Sequence, residues 1–283
     1  MLLDGKKLAG EIKLKIKEEI HHLEKTPGLA LILVGDDEAS KIYISGKERT
    51  CKELGVYLEK YELPSEIREA ELTMLIEKLN KSEKIHGILV QLPLPHHINK
   101  RVIEAIDPRK DVDGLHPRNI GRFMNGDETL VPCTPKGIMK LLDANNVLIK
   151  GKDAVVIGRS VMVGKPTAML LLNRDSTVTI CHSQTKDLQE KTKKADILVS
   201  ATGEPMLIKG DMVKKGAVVV DVGISKIDGK LQGDVDFENV SNIASYITPV
   251  PGGVGPMTVA MLFENLLVCY RLIENSESIT PAL

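Results

Sequence analysis

The feature that most restricts the fold is a regular alternation of short apolar runs with segments of helical periodicity. In the first half, helix-like segments near residues 6–24, 38–54 and 69–81 alternate with the apolar runs LALILVG (29–35), VYLEKYEL (56–63) and HGILVQL (86–92). Strands that alternate with helices need crossover connections, which give a mostly parallel sheet covered on its faces. The first half is therefore predicted to be an α/β domain.

A second alternating series follows a stretch at 92–135 that is rich in Pro, Gly and Asp and is predicted to be irregular. Such long segments are usually functional. A short helix at 136–144 leads to four strand-like runs with short helices between them: DAVVIG (153–158), TVTICHS (177–183), ADILVSATG (195–203) and GAVVVDVGI (216–224). We expect a second α/β unit, followed by TPVPGGVGPMT and one long apolar helix that ends near Glu274.

The chain has 283 residues, a length that suggests about two domains. We predict an N-terminal α/β substrate domain over 1–136 and a Rossmann-like dinucleotide-binding domain over 137–256, with a cleft between them. The C-terminal helix, about 257–283, is expected to pack back on the first domain.

Charge and composition favour a small-molecule site. The net charge is -1 with Lys and Arg spread throughout, so we expect neither nucleic acid nor a lipid surface as partner. The N-terminus is charged within a few residues, and no apolar run approaches membrane-spanning length, which favours a soluble, cytoplasmic protein. The four cysteines lie singly, without metal-ligand spacing, and are predicted to be packing residues; no metal site is expected.

The segment GRSVMVGKP resembles a phosphate-binding turn between a strand and a helix. The P-loop pattern fails because Gly158 and Gly164 enclose five residues and Pro166 stands where a magnesium-binding hydroxyl belongs. The pattern G-x-G-x-x-G also fails literally, but the strand, glycine turn, helix and strand follow in the order of a dinucleotide site. The start of the helix would offer N–H groups and partial positive charge to a pyrophosphate.

The end of the next strand favours NADP over NAD. An NAD site usually places a carboxylate there to bind the ribose 2′-hydroxyl, whereas a 2′-phosphate requires cations and hydroxyls. After TVTIC the chain reads His-Ser-Gln-Thr-Lys, with no acid before Asp187, and Arg159 lies in the glycine loop. The alternative is that Arg159 and Ser183 are solvated loop residues.

Candidate catalytic side chains occur in the first half. Tyr43 and Lys47 lie four residues apart and share one helix face, although an exposed lysine over a packed tyrosine is the more common arrangement. Gln91 ends a buried-type strand, where ligands of parallel sheets bind. Asp111 and Asp113 follow in DVDG, for which turn formation and helix capping is the simpler explanation.

Taken together, these segments resemble the bifunctional methylenetetrahydrofolate dehydrogenase/cyclohydrolase family over nearly the whole chain. The shared motifs occur in order: SKIYISGKE, VQLPLP, KDVDGLHP, PCTPKG, GRSVMVGKP, TVTICHS, VDVGI and PVPGGVGPMT. The resemblance implies NADP-dependent oxidation of 5,10-methylenetetrahydrofolate to the methenyl form, then hydrolysis to 10-formyltetrahydrofolate, in one-carbon metabolism that feeds purine biosynthesis. It also implies a homodimer.

The resemblance implies roles for individual residues. Lys47 is the catalytic lysine, Tyr43 stacks on the pterin ring, Gln91 hydrogen-bonds Lys47, and Asp113 binds the pterin's amino and ring nitrogens. The folate side of the cleft is lined by Leu92, Pro251, Gly252 and Gly253. The cofactor is held by three residues of the glycine loop and by residues after the next three strands: Gly158, Arg159, Ser160, His182, Ser183, Thr202, Gly203 and Ile224.

The two steps make different demands. Hydride transfer depends mainly on positioning. Hydrolysis requires a water to lose a proton, and Lys47 could assist, directly or through water, if burial and the cationic intermediate lower its pKa. Three alternatives stay open: a monofunctional dehydrogenase, a non-catalytic NADP- or folate-sensing module, and a generic dehydrogenase that would need a proton donor such as His86, His96, His97 or His116.

Overall fold

The computed structural model describes residues 1–227 and 229–275, with the side chain of Ala39 excepted. The chain divides into two compact units. The three-stranded unit comprises Ile12–Val131 and the described residues from Leu262 onward, and the five-stranded unit comprises Met1–Glu11 and Pro132–Met261. The last eight residues of the predicted C-terminal helix, 276–283, lie outside the described residues.

The three-stranded unit contains a parallel sheet in the order β2-β1-β3. Its strands are β1 (Gly28–Val34), β2 (Tyr57–Leu63) and β3 (Gly87–Val90). Every residue of β1 is buried, as expected for the central strand of a covered parallel sheet. The helices of the first half are α1 (Gly5–His21), α2 (Glu38–Leu54) and α3 (Glu69–Asn80). The predicted strand and helix alternation is confirmed here.

The stretch 92–135 is more ordered than the sequence suggested. Two 3₁₀ turns, Lys100–Ala105 and Pro108–Lys110, precede helix α4 (Pro117–Met124), and helix α5 (Cys133–Ala144) begins earlier than the predicted 136. Pro117 occupies the first turn of α4, where its missing N–H is tolerated, and the His116 ring caps the helix. The prediction of an irregular segment was wrong because it took every proline and glycine as a loop former.

The five-stranded unit contains a parallel sheet in the order β10-β7-β6-β4-β5. Its strands are β4 (Asp153–Ile157), β5 (Thr177–Cys181), β6 (Ile197–Ser200), β7 (Val218–Asp221) and β10 (Tyr246–Ile247). Its short helices are α6 (Gly164–Asn173), α7 (Leu188–Thr192) and α8 (Phe237–Ser241). Numbered within the unit, the order is 2-1-3-4-5, so the strand order reverses between β4 and β6, the place where such sheets bind ligands.

Several elements of this unit had no sequence prediction, helix α8 among them. Strand β10 is only two residues long, and strands β8 (Ser225–Ile227) and β9 (Lys230–Gln232) form an antiparallel pair. The N-terminus also joins the sheet edge, because Leu3 N donates to Ile247 O at 2.9 Å and Ile247 N donates to Met1 O at 3.0 Å. These pairings fix Met1–Glu11 in the five-stranded unit.

Helix α9 (Val254–Glu274) shows that the prediction about apolar runs was wrong. It is long and apolar enough to cross a membrane by length and composition, although no apolar run was expected to reach that length. More than half of that apolar stretch is buried inside the protein. In the three-stranded unit, the Asn265 amide donates to the carbonyls of Val112 and Val131 at 2.9 and 3.0 Å, which fits a core helix. All four cysteines are buried, as predicted.

Candidate functional site

The centre of the three-stranded unit's candidate site is a contact between Lys47 and Gln91. Lys47 Nζ donates to Gln91 Oε1 at 2.7 Å, and both side chains are half-buried. Gln91 Nε2 donates to Leu92 O at 2.7 Å, so both ends of the amide are engaged and its orientation is fixed. The arrangement holds an amine in one position, which is what a group that handles a single proton requires.

Local structure explains how the two side chains meet. Helix α2 starts at the cap residue Asp37, whose carboxylate accepts from Ser40 N at 2.7 Å, and it ends at Gly55 in the left-handed conformation. Lys47 lies midway along this helix. Gln91 directly follows β3, and its backbone N–H donates to Ile32 O of β1. The amide therefore projects from the carboxyl end of the parallel sheet.

Tyr43 lies one turn before Lys47 on α2, with 47% of its surface exposed. An aromatic ring that is this accessible is available to stack on a planar ligand. The peptide bond between Leu92 and Pro93 is cis. The structure therefore places four of the predicted residues on two neighbouring elements: Tyr43, Lys47, Gln91 and Leu92.

The two aspartates of DVDG have different environments. Asp111 is buried, and its carboxylate accepts from the backbone N–H groups of Leu115 and His116 and from the Asn119 amide. Burial raises the pKa of Asp111, and these hydrogen bonds oppose the rise. Asp111 is thus a structural residue. Asp113 is half-buried two residues later, which keeps its carboxylate accessible to a ligand.

Any of four histidines could serve as the proton donor of a generic dehydrogenase, but each is either hydrogen-bonded in a structural role or exposed. His86 is buried, with Nδ1 accepting from Gly28 N at 3.0 Å and Nε2 lying 3.2 Å from Glu274 Oε1. Burial lowers the pKa of His86. His116 caps α4, and both His96 and His97 are exposed, as predicted. None of these arrangements resembles a catalytic proton donor.

The glycine loop of the five-stranded unit packs its backbone closely against the start of the loop after β6. Gly158 directly follows β4 with φ +122°, and a Cβ there would come within 2.5 Å of Ala201 O. Only glycine fits this backbone. Arg159 and Ser160 are exposed beside it, and α6 begins at Gly164 as predicted. The loop therefore opens at the end of β4, where the strand order reverses.

The turn after β5 carries donors and no carboxylate. His182 N donates to Thr185 Oγ1 at 2.9 Å and Gln184 N donates to His182 Nδ1 at 3.2 Å, which forms a tight turn with Ser183 exposed. Together with Arg159, this donor set suits the 2′-phosphate of NADP better than the 2′-hydroxyl of NAD.

Two further loops bear predicted cofactor residues, Thr202 and Gly203 after β6 and Ile224 after β7. Both loops are tied to buried carboxylates that the sequence had not drawn attention to: Asp234 accepts from Thr202, and Asp221 accepts from Gly223. Burial raises the pKa of Asp221 to about 6. The sequence offered two hints: the motif VDVGI, which contains Asp221, and the stretch GDVD at 233–236, which contains Asp234.

The remaining predicted folate residues belong to the five-stranded unit. Pro251, Gly252 and Gly253 form a turn before α9, the Val250–Pro251 peptide bond is cis, and Gly252 O accepts from Lys6 N at 2.8 Å. Within residues 1–227 and 229–275, no group of three or more His, Cys, Asp or Glu side chains is arranged to hold a metal ion.

One unit has a doubly wound parallel sheet with a glycine loop at its switch point, and the other is an α/β unit that carries a fixed lysine. Together these features define a two-domain dinucleotide-dependent enzyme. Family models make the class specific. Residues 3–113 match the catalytic domain, and residues 132–273 the NAD(P)-binding domain, of tetrahydrofolate dehydrogenase/cyclohydrolase. The chain belongs to this family of bifunctional enzymes, and its cofactor is NADP.

Individual relatives agree over almost the full length. The bifunctional protein FolD of Nitratiruptor sp. is 56% identical over 94% of this chain and 96% of its own. The crystal structure of the bifunctional enzyme FolD from Campylobacter jejuni superposes with a TM-score of 0.94 at 50% identity, covering 96% of this chain and 99% of that chain. The Trypanosoma brucei FolD structure, complexed with NADP cofactor and inhibitor, has a TM-score of 0.92 at 40% identity, covering 96% and 97%.

Proposed function

We propose that this chain oxidises 5,10-methylenetetrahydrofolate with NADP and hydrolyses the methenyl product to 10-formyltetrahydrofolate, with Lys47 as the residue on which hydrolysis depends. The observation that carries the proposal is the 2.7 Å hydrogen bond from Lys47 to an amide whose other end is also engaged. A monofunctional dehydrogenase or a sensing module has no need for an amine held in this way.

Tyr43 and Asp113 bind the pterin in this proposal. The exposed ring of Tyr43 supplies a stacking face one helical turn from Lys47, and a carboxylate such as that of Asp113 accepts two hydrogen bonds from an aminopyrimidine edge. The family resemblance also assigns Pro251, Gly252 and Gly253 to the folate, and the two glycines have no side chain to obstruct a ligand. These residues bind and orient the folate, and they move no proton.

The cofactor site is the set of loops at the switch point of the five-stranded sheet. NADP, when bound, supplies the hydride acceptor. Arg159 and Ser183 hold its 2′-phosphate, Gly158 and Ser160 face its pyrophosphate, and the donor set after β5 lacks the carboxylate that would select NAD. His182, Thr202, Gly203 and Ile224 complete the set.

The hydrolytic step requires proton removal from the attacking water. Oxidation leaves a cationic methenyl carbon, which favours the neutral form of a neighbouring amine. Neutral Lys47 then accepts the proton directly or through a second water, while Gln91 keeps the amine in place. The resulting carbinolamine opens as its hydroxyl loses a proton to form the formyl C=O, the C–N5 bond breaks and N5 takes up a proton, so one proton is released overall. Hydride transfer, by contrast, depends on positioning alone.

One assay tests both activities. The absorbance of methenyltetrahydrofolate is followed while NADP or NAD oxidises the methylene form, and its decay is then followed without dinucleotide. We expect faster oxidation with NADP at equal subsaturating concentration, and hydrolysis that needs no dinucleotide. Oxidation without hydrolysis would contradict the proposal and support a monofunctional dehydrogenase.

The proposal extends to the setting of the enzyme. We place the protein in the cytoplasm, as a homodimer without nucleic-acid or membrane partners, where its formyl product supports purine biosynthesis. The three-stranded unit, Ile12–Val131 with the described residues from Leu262 onward, serves as the folate domain, and the five-stranded unit, Met1–Glu11 with Pro132–Met261, serves as the NADP domain. The balanced net charge of -1 supports the absence of a polyanionic partner.

A further inference from the structure

The loop after β6 is fixed by one buried carboxylate oxygen. Asp234 Oδ2 accepts from Thr202 N at 2.7 Å, from Thr202 Oγ1 at 2.8 Å and from Ser200 Oγ at 2.8 Å. Asp234 is 1% exposed. Hydrogen bonds to Asp234 therefore fix both the backbone and the side chain of Thr202, although Asp234 lies 32 positions further along the chain.

The loop after β7 is fixed by a second buried carboxylate. Asp221 Oδ1 accepts from Gly223 N at 3.0 Å and from Asp234 N at 2.9 Å, and Asp221 Oδ2 accepts from Val235 N at 2.9 Å. Asp221 is 3% exposed. The two aspartates are linked, because the Asp221 carboxylate accepts from the Asp234 backbone N–H. Ser225 Oγ donates to Gly203 O at 3.0 Å and joins the two loops.

Two adjacent buried carboxylates are costly, because both must leave water and their charges repel. Asp234 Oδ1 is itself buried without a hydrogen-bond partner in the described part of the chain. A Cβ on Gly223 would lie 1.8 Å from that oxygen, so the loop backbone passes directly against the carboxylate. A packing role alone would be met at lower cost by apolar side chains of similar volume.

We propose that Asp234 is a positioning residue for NADP that acts through Thr202, supported by Asp221, which holds the Gly223 backbone. The loops that the two aspartates fix carry Thr202, Gly203 and Ile224, three of the residues assigned to the cofactor. The inference rests on the proposed cofactor site and extends it, because neither aspartate belongs to the set that contacts NADP.

The test uses the full-length enzyme and the variant Asp234→Asn, which keeps the shape of the side chain and removes its charge. Losing charged hydrogen bonds to Thr202 should raise KM for NADP roughly tenfold. We expect kcat at saturating NADP to change less than KM, and hydrolysis of methenyltetrahydrofolate without dinucleotide to stay at the wild-type rate. Asp236→Asn is the matched control, because Asp236 is also buried but bonds Asn239 instead of a cofactor loop.

A double-mutant cycle separates positioning from general stability. Thr202→Val removes the hydroxyl that donates to Asp234 and keeps the backbone N–H, so Asp234→Asn should raise KM for NADP by a smaller factor in that background than in wild type. Fully additive effects on KM would overturn the proposal. If Asp234→Asn does not fold, Ser200→Ala tests the same oxygen from a strand residue outside the cofactor set and should raise KM for NADP roughly threefold. An unchanged KM in Ser200→Ala would then overturn it.

The failure of the inference differs from the failure of the cofactor site. If Thr202→Val raises KM for NADP and Asp234→Asn does not, the positioning role is wrong and the cofactor site stands. If Thr202→Val and Arg159→Ala both leave KM unchanged, the cofactor site is wrong and the inference falls with it.

Discussion

The two units carry their candidate residues in different ways. In the three-stranded unit the important side chains bond each other, with Lys47 on α2 and Gln91 at the end of β3 joined at 2.7 Å. In the five-stranded unit the candidate cofactor residues lie on loops, and hydrogen bonds to the buried Asp234 and Asp221 fix two of those loops. A reactive group can be recognised from its residue type, whereas a loop's support can be recognised only after folding.

This difference leads to separable effects. Loss of the Lys47 amine should act on proton transfer, and changes around the glycine loop should act on dinucleotide affinity. A variant of Lys47 or Arg159 that affects oxidation and hydrolysis equally would weaken the distinction.

Lys47→Met is expected to have the largest effect. Methionine retains the length of the side chain and loses the amine, so hydrolysis of methenyltetrahydrofolate should fall by roughly a hundredfold or more. The rate is measured without dinucleotide. Lys52→Met, an exposed change on the same helix, serves as control and should hydrolyse normally.

A pH-dependent stability follows from Asp221. Burial, and next to it the charge of Asp234, raise the pKa of this carboxyl from 3.8 to about 6. Between these values the folded state binds more protons than the unfolded state, so this contribution to stability is present at low pH and is lost as pH rises from about 4 to about 6. This rise of about two in the pKa corresponds to a change of roughly 3 kcal/mol in the free energy of unfolding.

The measurement compares wild type and Asp221→Asn by urea denaturation at pH 4 and pH 7. We expect the free energy of unfolding at pH 4 minus that at pH 7 to be larger in wild type than in Asp221→Asn. The same pH dependence in both proteins would show that Asp221 titrates normally.

Arg159→Ala should raise KM for NADP by roughly tenfold or more and leave KM for NAD nearly unchanged, because the lost hydrogen bonds reach only a 2′-phosphate. Steady-state oxidation with each dinucleotide measures this. Arg174→Ala removes an arginine of the same unit that pairs with Asp143, and it should alter neither constant. Equal increases for both dinucleotides would remove the assignment of Arg159 to the 2′-phosphate.

Gln91→Leu should weaken both activities, each by roughly tenfold, because the amine loses its hydrogen-bonded support while the lysine remains. The ratio of oxidation to hydrolysis distinguishes support from direct chemistry. A selective loss of hydrolysis as large as that of Lys47→Met would show that the amide itself takes part in proton transfer.

Much of the fold could be predicted because it is encoded locally. Helix α2 has the predicted bounds, 38–54, since Asp37 caps its start and Gly55 ends it. The apolar runs became the central strands because a covered parallel sheet needs continuous burial. The elements that the sequence did not predict depend on contacts between distant parts of the chain or have an ambiguous local sequence. The two-residue strand β10, for example, is ordered by pairing with β7 and with the N-terminus.

The site shows the same division. Lys47 and Gln91 could be proposed as partners because the family resemblance named them and strand ends gather ligands. Asp234 could not, because its partner Thr202 lies 32 residues earlier and an aspartate in the short stretch GDVD looks like a solvated turn residue. Only the folded chain brings the carboxylate against the cofactor loop.

The most direct test of this account is the rate of methenyltetrahydrofolate hydrolysis without dinucleotide, measured side by side in Lys47→Met and Arg159→Ala. The account predicts near-complete loss in Lys47→Met and the wild-type rate in Arg159→Ala. Wild-type hydrolysis by Lys47→Met, or an equal loss in both variants, would contradict it.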